Sequence, residues 1–144
     1  MTLMRRVVLD TNVLAAAFRS RNGASFALLR MVASREIVPL VTTALFLEYE
    51  AVLKRDEQMA AHGFSPTDID AAVAEFAALA EAVDVHFRWR PQLTDPKDEL
   101  VLEAAVNGRA DALVTHNVRD FDAVNRRFGL RILRPAELLK ETRR

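Results

Sequence analysis

Short apolar runs alternate with longer segments of helical periodicity along the whole chain. The short runs have strand lengths and are rich in β-branched residues, whereas the longer segments repeat apolar residues at helical spacing. The predicted strands cover residues 7–9, 37–41, 83–87, 112–115 and 130–133. The predicted helices cover residues 13–18, 25–34, 44–54, 67–82, 97–107 and 136–141. This alternation is typical of crossover units, so we expect a three-layer α/β/α fold with a central, mostly parallel five-stranded sheet.

The length of 144 residues is ordinary for one domain. Residues 55–66 are predicted to join two helices, and no repeat or low-complexity segment divides the chain. We therefore expect residues 1–144 to form a single domain. Neither a signal peptide nor a long apolar segment is present, so we also expect a cytoplasmic protein with no membrane contact.

The composition excludes several classes of function. The chain has no cysteine, which excludes thiol catalysis, thiolate zinc sites and disulfides. The 20 basic residues balance the 20 acidic ones, which argues against nucleic-acid binding by bulk positive charge. Local clusters remain, and together they could flank a site that handles phosphates. The clustered arginines are Arg19 and Arg21, Arg88 and Arg90, Arg126 and Arg127, and Arg143 and Arg144.

Two acidic residues stand where a carboxylate is unusual. Asp10 directly follows the first predicted strand, and strand ends of open α/β folds are where ligands bind. Glu48 has Leu45 and Val52 at helical offsets, which places it beside the apolar stripe of its helix. A carboxylate there needs a cation or strong hydrogen-bond donors. Glu50, in contrast, has Lys54 four residues on and is predicted to form a surface ion pair.

A third candidate acid, Asp98, lies at the start of the helix predicted at residues 97–107. Asp95 is predicted as its N-cap and Pro96 as its first residue. Asp98 has apolar residues at helical offsets and is predicted to point inward, whereas Glu99 is predicted to point outward. A plain capping role for Asp98 and a role in a site are both open at this point.

Polar residues also stand at the end of the fourth predicted strand and in the residues after it, namely Thr115, Asn117 and Asp120. The carboxyl ends of neighbouring parallel strands can meet at one crevice, which would bring Asp10, Glu48 and Asp98 together. Carboxylates that share a small site raise one another's pKa unless a cation lies among them. A hard divalent cation such as Mg²⁺ or Mn²⁺ takes oxygen ligands and can activate water for attack on a phosphodiester.

These motifs resemble the PIN domain family of metal-dependent ribonucleases, in particular the VapC-like toxins of bacterial type II toxin–antitoxin pairs. The resemblance covers essentially the whole chain and depends on residues 7–13, 47–50, 95–98 and 112–117 in that order. It implies a parallel sheet with flanking helices, an acidic pocket that binds Mg²⁺ or Mn²⁺, and cleavage of single-stranded RNA. It also implies a cognate antitoxin as partner and a homodimer.

The resemblance assigns the site residue by residue. Asp10, Glu48 and Asp98 match the three principal acids, and Thr115 matches a hydroxyl beside the site. Asn117 stands where the family commonly has aspartate, so it offers an oxygen to a metal but no negative charge. Supporting roles fall to Asp120, if its turn folds inward, and to Asn12, which otherwise caps the first helix.

The same residues argue against two other protein classes. A haloacid-dehalogenase-like phosphatase also has an aspartate after its first strand, but its second acid would be needed where Asn12 stands. A phosphorylated receiver domain needs a lysine at the end of its last strand, which residues 130–133 lack. A catalytically degenerate PIN-like module that binds nucleic acid or protein stays open, and Asn117 is the residue that favours it.

Overall fold

A five-stranded sheet lies at the centre of the computed structural model, which describes residues 5–87 and 92–142. The strands are β1 (Arg5–Leu9), β2 (Ile37–Val41), β3 (Glu81–Ala82), β4 (Ala112–Val114) and β5 (Ile132–Leu133). Their order across the sheet is β3-β2-β1-β4-β5, and all neighbouring strands are parallel. The expected α/β/α fold with a parallel five-stranded sheet is therefore confirmed.

Helices form the connections between successive strands. They are α1 (Thr11–Arg19), α2 (Ala24–Ala33), α3 (Thr43–Leu53), α4 (Asp56–His62), α5 (Pro66–Ala78), α6 (Pro96–Asn107), α7 (Asp122–Phe128) and α8 (Pro135–Thr142). A 3₁₀ turn, Val118–Phe121, precedes α7. Within the described ranges, no helix is long and apolar enough to cross a membrane.

The two central strands are buried and end side by side. Val7, Val8 and Leu9 of β1 have no exposed surface, as expected for a strand covered on both faces. Leu9 pairs with Val114, the last residue of β4. Because β2 and β3 lie on one side of β1 while β4 and β5 lie on the other, the strand order reverses between β1 and β4. Such a switch point opens a crevice at the carboxyl ends of the strands.

The connection at residues 55–66 is more structured than predicted. It contains α4, which ends at Gly63 with a left-handed backbone (φ 76°). Ser65 then begins α5 with a capping box, because its side chain accepts from the amide of Asp68 and the Asp68 carboxylate accepts from the amide of Ser65. A helix of seven residues with no buried side chain leaves little periodic signal in the sequence.

The third strand is shorter and earlier than the predicted residues 83–87. β3 is Glu81–Ala82, and the amide of Val83 still donates to the carbonyl of Val41. The amides of His86 and Phe87 instead donate to the side-chain oxygen of Asn107. The alternation of apolar residues over 83–87 was therefore misleading, because these backbone groups pair with α6 and not with a strand.

Helix α7 was missed from the sequence altogether. Its exposed residues include Asn125, Arg126 and Arg127, and of its seven residues Val124 alone is buried. One buried position gives no apolar stripe to recognise. Of the arginine clusters, Arg88, Arg90, Arg143 and Arg144 lie outside the described residues.

Candidate functional site

Asp10 lies in the crevice at the end of β1. Its amide donates to the carbonyl of Val114 at 2.8 Å, which continues the pairing of β1 with β4 by one residue. Its side chain is buried and its Oδ2 accepts a hydrogen bond of 2.7 Å from Oγ1 of Thr115. Burial raises the pKa of Asp10, while the Thr115 hydrogen bond lowers it. A nearly buried carboxylate is thus held in place at the switch point.

Thr115 is itself fixed by two neighbours. Nδ2 of Asn12 donates to Oγ1 of Thr115 at 3.4 Å, and the amide of Asn117 donates to the same atom at 3.0 Å. Since a hydroxyl has a single hydrogen, both of these contacts leave that hydrogen directed at Asp10. The side chain of Asn12 also accepts from the amide of His116 at 3.3 Å. Asn12 therefore joins α1 to the end of β4 and does not cap α1.

Tyr49 supports the same strand end from the core, which was not predicted. Its hydroxyl donates to the carbonyl of Leu9 at 2.5 Å, and its side chain is fully buried. Burial raises the pKa of Tyr49 well above its ordinary value. This hydrogen bond connects α3 to the residue before Asp10, and α3 carries Glu48. The only sequence signal was a tyrosine beside a predicted site residue.

Glu48 lines the same crevice from α3. Its side chain is 17% exposed, which fits its predicted place beside the apolar stripe of α3. Its Oε1 lies 3.8 Å from Nζ of Lys97, whose side chain is 56% exposed. The predicted partner of Glu50, Lys54, lies instead 2.5 Å from Oδ1 of Asp70. The cation near the half-buried acid therefore comes from α6, far along the chain.

Asp98 stands in the first turn of α6, as the sequence indicated. Asp95 is the N-cap and accepts from the amide of Lys97 at 2.9 Å. Partial burial and then the negative charge of Asp10 raise the pKa of Asp98 to about 6, with smaller contributions from other acids. Asp10 is thus close enough to disfavour the ionisation of Asp98.

The orientation predicted for the neighbouring glutamate was wrong. Glu99 is 4% exposed, and its Oε1 accepts from the amides of Gln92 and Leu93 at 2.6 and 2.7 Å. Glu103, one turn further along α6, is buried as well. The two amide donors compensate the burial of the Glu99 carboxylate. They belong to the segment before α6, so no periodicity within the helix could show them.

One cavity of about 260 Å³ brings most of the candidate residues together. Asp10, Glu48 and Asp98 line it, together with Asn12 and Asn117. Asp120 does not line this cavity. It lines a neighbouring one of about 370 Å³, which shares Asp95 and Asp98 with the first. Other residues that line the acidic cavity were not predicted as site residues, among them Arg19, Arg55, Gln58 and Lys97.

The oxygen donors of this cavity suit a hard divalent cation. Among residues 5–87 and 92–142, no group of three or more acidic or histidine side chains is close enough to hold a metal ion. Mg²⁺, however, is commonly bound through one or two carboxylates, with waters and substrate phosphates completing its shell. Asp10 and Asp98 offer such a pair, and the amide oxygen of Asn117 is a further donor. Burial raises the pKa of both acids, and the negative charge of Asp10 raises that of Asp98 further.

Comparison with known proteins supports the same fold. Among solved structures, the chain is similar to the crystal structure of VapBC2 from Rickettsia felis bound to a DNA fragment from their promoter. The identity is 16% over 90% of this chain and 98% of that chain, with a TM-score of 0.58, so the likeness concerns the fold. A search of curated protein sequences found no match. The PIN domain model matches residues 6–119, a range that includes Asp10, Glu48, Asp98 and Asn117. The chain belongs to the PIN domain family.

Proposed function

We propose that this protein is a metal-dependent endoribonuclease that hydrolyses phosphodiester bonds in single-stranded RNA at the acidic cavity. One observation carries the proposal. Asp10 and Asp98, from elements far apart in sequence, line one cavity at the switch point, and the negative charge of Asp10 contributes to the raised pKa of Asp98. A structural role does not account for such a pair, because uncompensated carboxylates destabilise a fold. Membership of the PIN domain family is consistent with the nuclease.

The proposed cofactor is Mg²⁺ or Mn²⁺. Asp10 and Asp98 would hold it, with Asn117 as an uncharged oxygen donor. Such a cation supplies an activated water and stabilises negative charge on a phosphodiester under attack. Asn117 reduces the negative charge of the site compared with an aspartate, which favours one tightly bound cation over two.

The chain's own residues position and orient the reactants in this proposal. Thr115 keeps the Oδ2 atom of Asp10 fixed, so that the carboxylate needs little reorganisation when substrate binds. Glu48 brings its carboxylate into the same cavity from α3, where Oε1 can accept a proton from the attacking water. Lys97 compensates the charge of Glu48 before substrate enters.

We also propose that the protein acts as the toxin of a toxin–antitoxin pair, with a cognate antitoxin as partner, a homodimeric state and a cytoplasmic location. The support is the PIN domain family and the similar fold in the Rickettsia felis VapBC2 structure, whose title names a complex with promoter DNA. Copurification with the product of the adjacent reading frame, followed by light scattering, tests the partner and the dimer.

A catalytically degenerate binding module is the second candidate. It is favoured by Asn117 at a position where the family commonly has an acid. It is favoured as well by the wide spacing of the acids, which form no tight three-membered cluster within the described ranges. A degenerate module would bind RNA or protein without cleaving RNA.

Cleavage of a labelled single-stranded oligoribonucleotide distinguishes the two candidates. We expect the wild-type protein to cut it in Mg²⁺ or Mn²⁺, to leave its duplex form intact, and to be inactive in EDTA. Glu48→Gln and Asp98→Asn are each expected to lower the rate about a hundredfold or more. Asp84→Asn, which replaces an exposed acid that does not line the cavity, is the matched control. Cleavage that persists in EDTA would refute the proposal, and no cleavage under any condition would favour the degenerate module.

A further inference from the structure

Three cations border the acidic cavity, and each comes from a different part of the chain. Arg19 is the last residue of α1, Arg55 directly precedes α4, and Lys97 lies in the first turn of α6. All three line the cavity that Asp10 and Asp98 line. We refer to Arg19, Arg55 and Lys97 as the basic rim.

The basic rim is available to a ligand. Arg19 and Arg55 are exposed, and their guanidinium groups have no ion-pair or hydrogen-bond partner within the described part of the chain. Among the described residues, Lys97 has one ion pair, the 3.8 Å contact with Glu48, and its side chain is more than half exposed. By contrast, Arg6 of β1 forms an ion pair with Glu81. Within the described ranges, no ion pair of this kind accounts for Arg19 or Arg55.

The balance of charge explains why an RNA substrate needs such residues. The net charge of the chain is zero, so the protein as a whole does not attract a polyanion. The acids of the cavity repel one, because phosphates and carboxylates have the same sign. Cations next to the acids can hold the phosphates that flank the reacting one, and a guanidinium group binds phosphate oxygens in pairs.

We infer that the basic rim binds backbone phosphates of single-stranded RNA on either side of the phosphodiester placed at Asp10 and Asp98. This inference rests on the proposed nuclease function and adds the residues that hold its substrate. Phosphate contacts of this kind position the strand without selecting its sequence. An acidic peptide has the same sign of charge, but its binding would not explain the adjoining carboxylates, which suit a cation bound to phosphate oxygens.

The salt dependence of RNA binding tests the basic rim. Fluorescence anisotropy with a labelled oligouridylate would be recorded in Mg²⁺ on Asp10→Asn protein, so that binding is measured without cleavage. Each counterion-releasing contact contributes about 0.7 to the slope of log K against log salt for single strands. Arg19→Gln, Arg55→Gln and Lys97→Gln, added singly, are each expected to lower the slope by about that amount. Arg126→Gln, an exposed arginine on α7 away from the cavity, should leave the slope unchanged.

A second readout uses the wild-type background. Arg19→Gln and Arg55→Gln should raise KM for RNA cleavage with little change in kcat, because they remove binding that is uniform between ground state and transition state. Salt-dependence slopes of the rim variants equal to that of Arg126→Gln would overturn the inference. Unchanged RNA cleavage by the same variants would at the same time support the proposed nuclease function. Binding that depends on the basic rim without any cleavage would support the rim and refute the nuclease. Binding of polyglutamate through these residues, with RNA binding unaffected, would overturn the inference in favour of an acidic protein partner.

Discussion

Oγ1 of Thr115 donates a hydrogen bond of 2.7 Å to Oδ2 of Asp10, and these two residues directly follow the two central strands. The hydroxyl accepts its other hydrogen bonds from Asn12 and Asn117. Its only hydrogen is therefore committed to the carboxylate. The end of β4 thus holds the acid at the end of β1, and the adjacent loop residues hold the hydroxyl.

Replacing this hydroxyl should destabilise the protein. Thr115→Val removes the donor from the buried carboxylate of Asp10 and is expected to lower the free energy of unfolding by about 1–3 kcal/mol at neutral pH. Urea denaturation measures the change. Thr115→Ser keeps the hydroxyl and serves as the matched control. Equal stability of the valine and serine variants would show that the hydrogen bond contributes nothing.

The stability of the metal-free protein should depend on the ionisation of Asp98. Its pKa is about 6 in the folded protein, against an ordinary value of 3.8. The folded state therefore binds more protons than the unfolded state between these values, so the stability that Asp98 confers is lost as the pH rises from about 4 through 6. Asp98→Asn removes this loss. In EDTA, the variant should gain stability relative to wild type as the pH rises over this interval.

Urea denaturation at several pH values between about 4 and 7.5 measures that difference. Asp84→Asn is the control, since it removes an exposed acid outside the cavity. A stability difference between Asp98→Asn and wild type that stays constant over this range would contradict the raised pKa.

A divalent cation should stabilise the folded protein. It relieves the repulsion between Asp10 and Asp98 and binds the folded state selectively. At a concentration of a hundred times its Kd, the cation adds about 2.7 kcal/mol to the free energy of unfolding. Scanning calorimetry with and without Mg²⁺ measures the rise in Tm. The rise should shrink in Asp98→Asn and Asp10→Asn, and an equal rise in all three proteins would place the cation elsewhere.

Removal of the buried Glu99 carboxylate should be costly. Glu99→Ala leaves the amides of Gln92 and Leu93 without their acceptor, and bonds to a charged group contribute about 1.5–3 kcal/mol each. We expect a loss of at least about 2 kcal/mol in the free energy of unfolding. Glu57→Ala, at an exposed position of α4, is the control. Similar losses in both variants would show that the two amide contacts do not stabilise the fold.

The sequence predicted the central strands and the residues that follow them. Buried parallel strands need continuous apolar runs, and such runs place Asp10 and Thr115 at strand ends without further information. The start of α6 was predictable for a similar reason, because Asp95 and Pro96 are strong local signals for a helix start.

Features that depend on contacts distant in sequence were not predictable. The burial of Glu99 depends on amides of the preceding segment, and the end of β3 depends on amides that pair with Asn107. The cation near Glu48 comes from another helix. Lys54, the predicted partner of Glu50, pairs instead with Asp70 on α5. The basic rim likewise unites residues that have no common spacing in the sequence.

The initial rate of single-stranded RNA cleavage in Mn²⁺, compared between wild type and Asp10→Asn, tests metal-dependent catalysis at this cavity most directly. Asp10→Asn preserves the shape of the buried side chain, so its circular dichroism spectrum should match that of wild type. We predict a rate lower by about a hundredfold or more, because the variant lacks the carboxylate that would hold the cation. A rate equal to that of wild type in a correctly folded variant would contradict catalysis at Asp10.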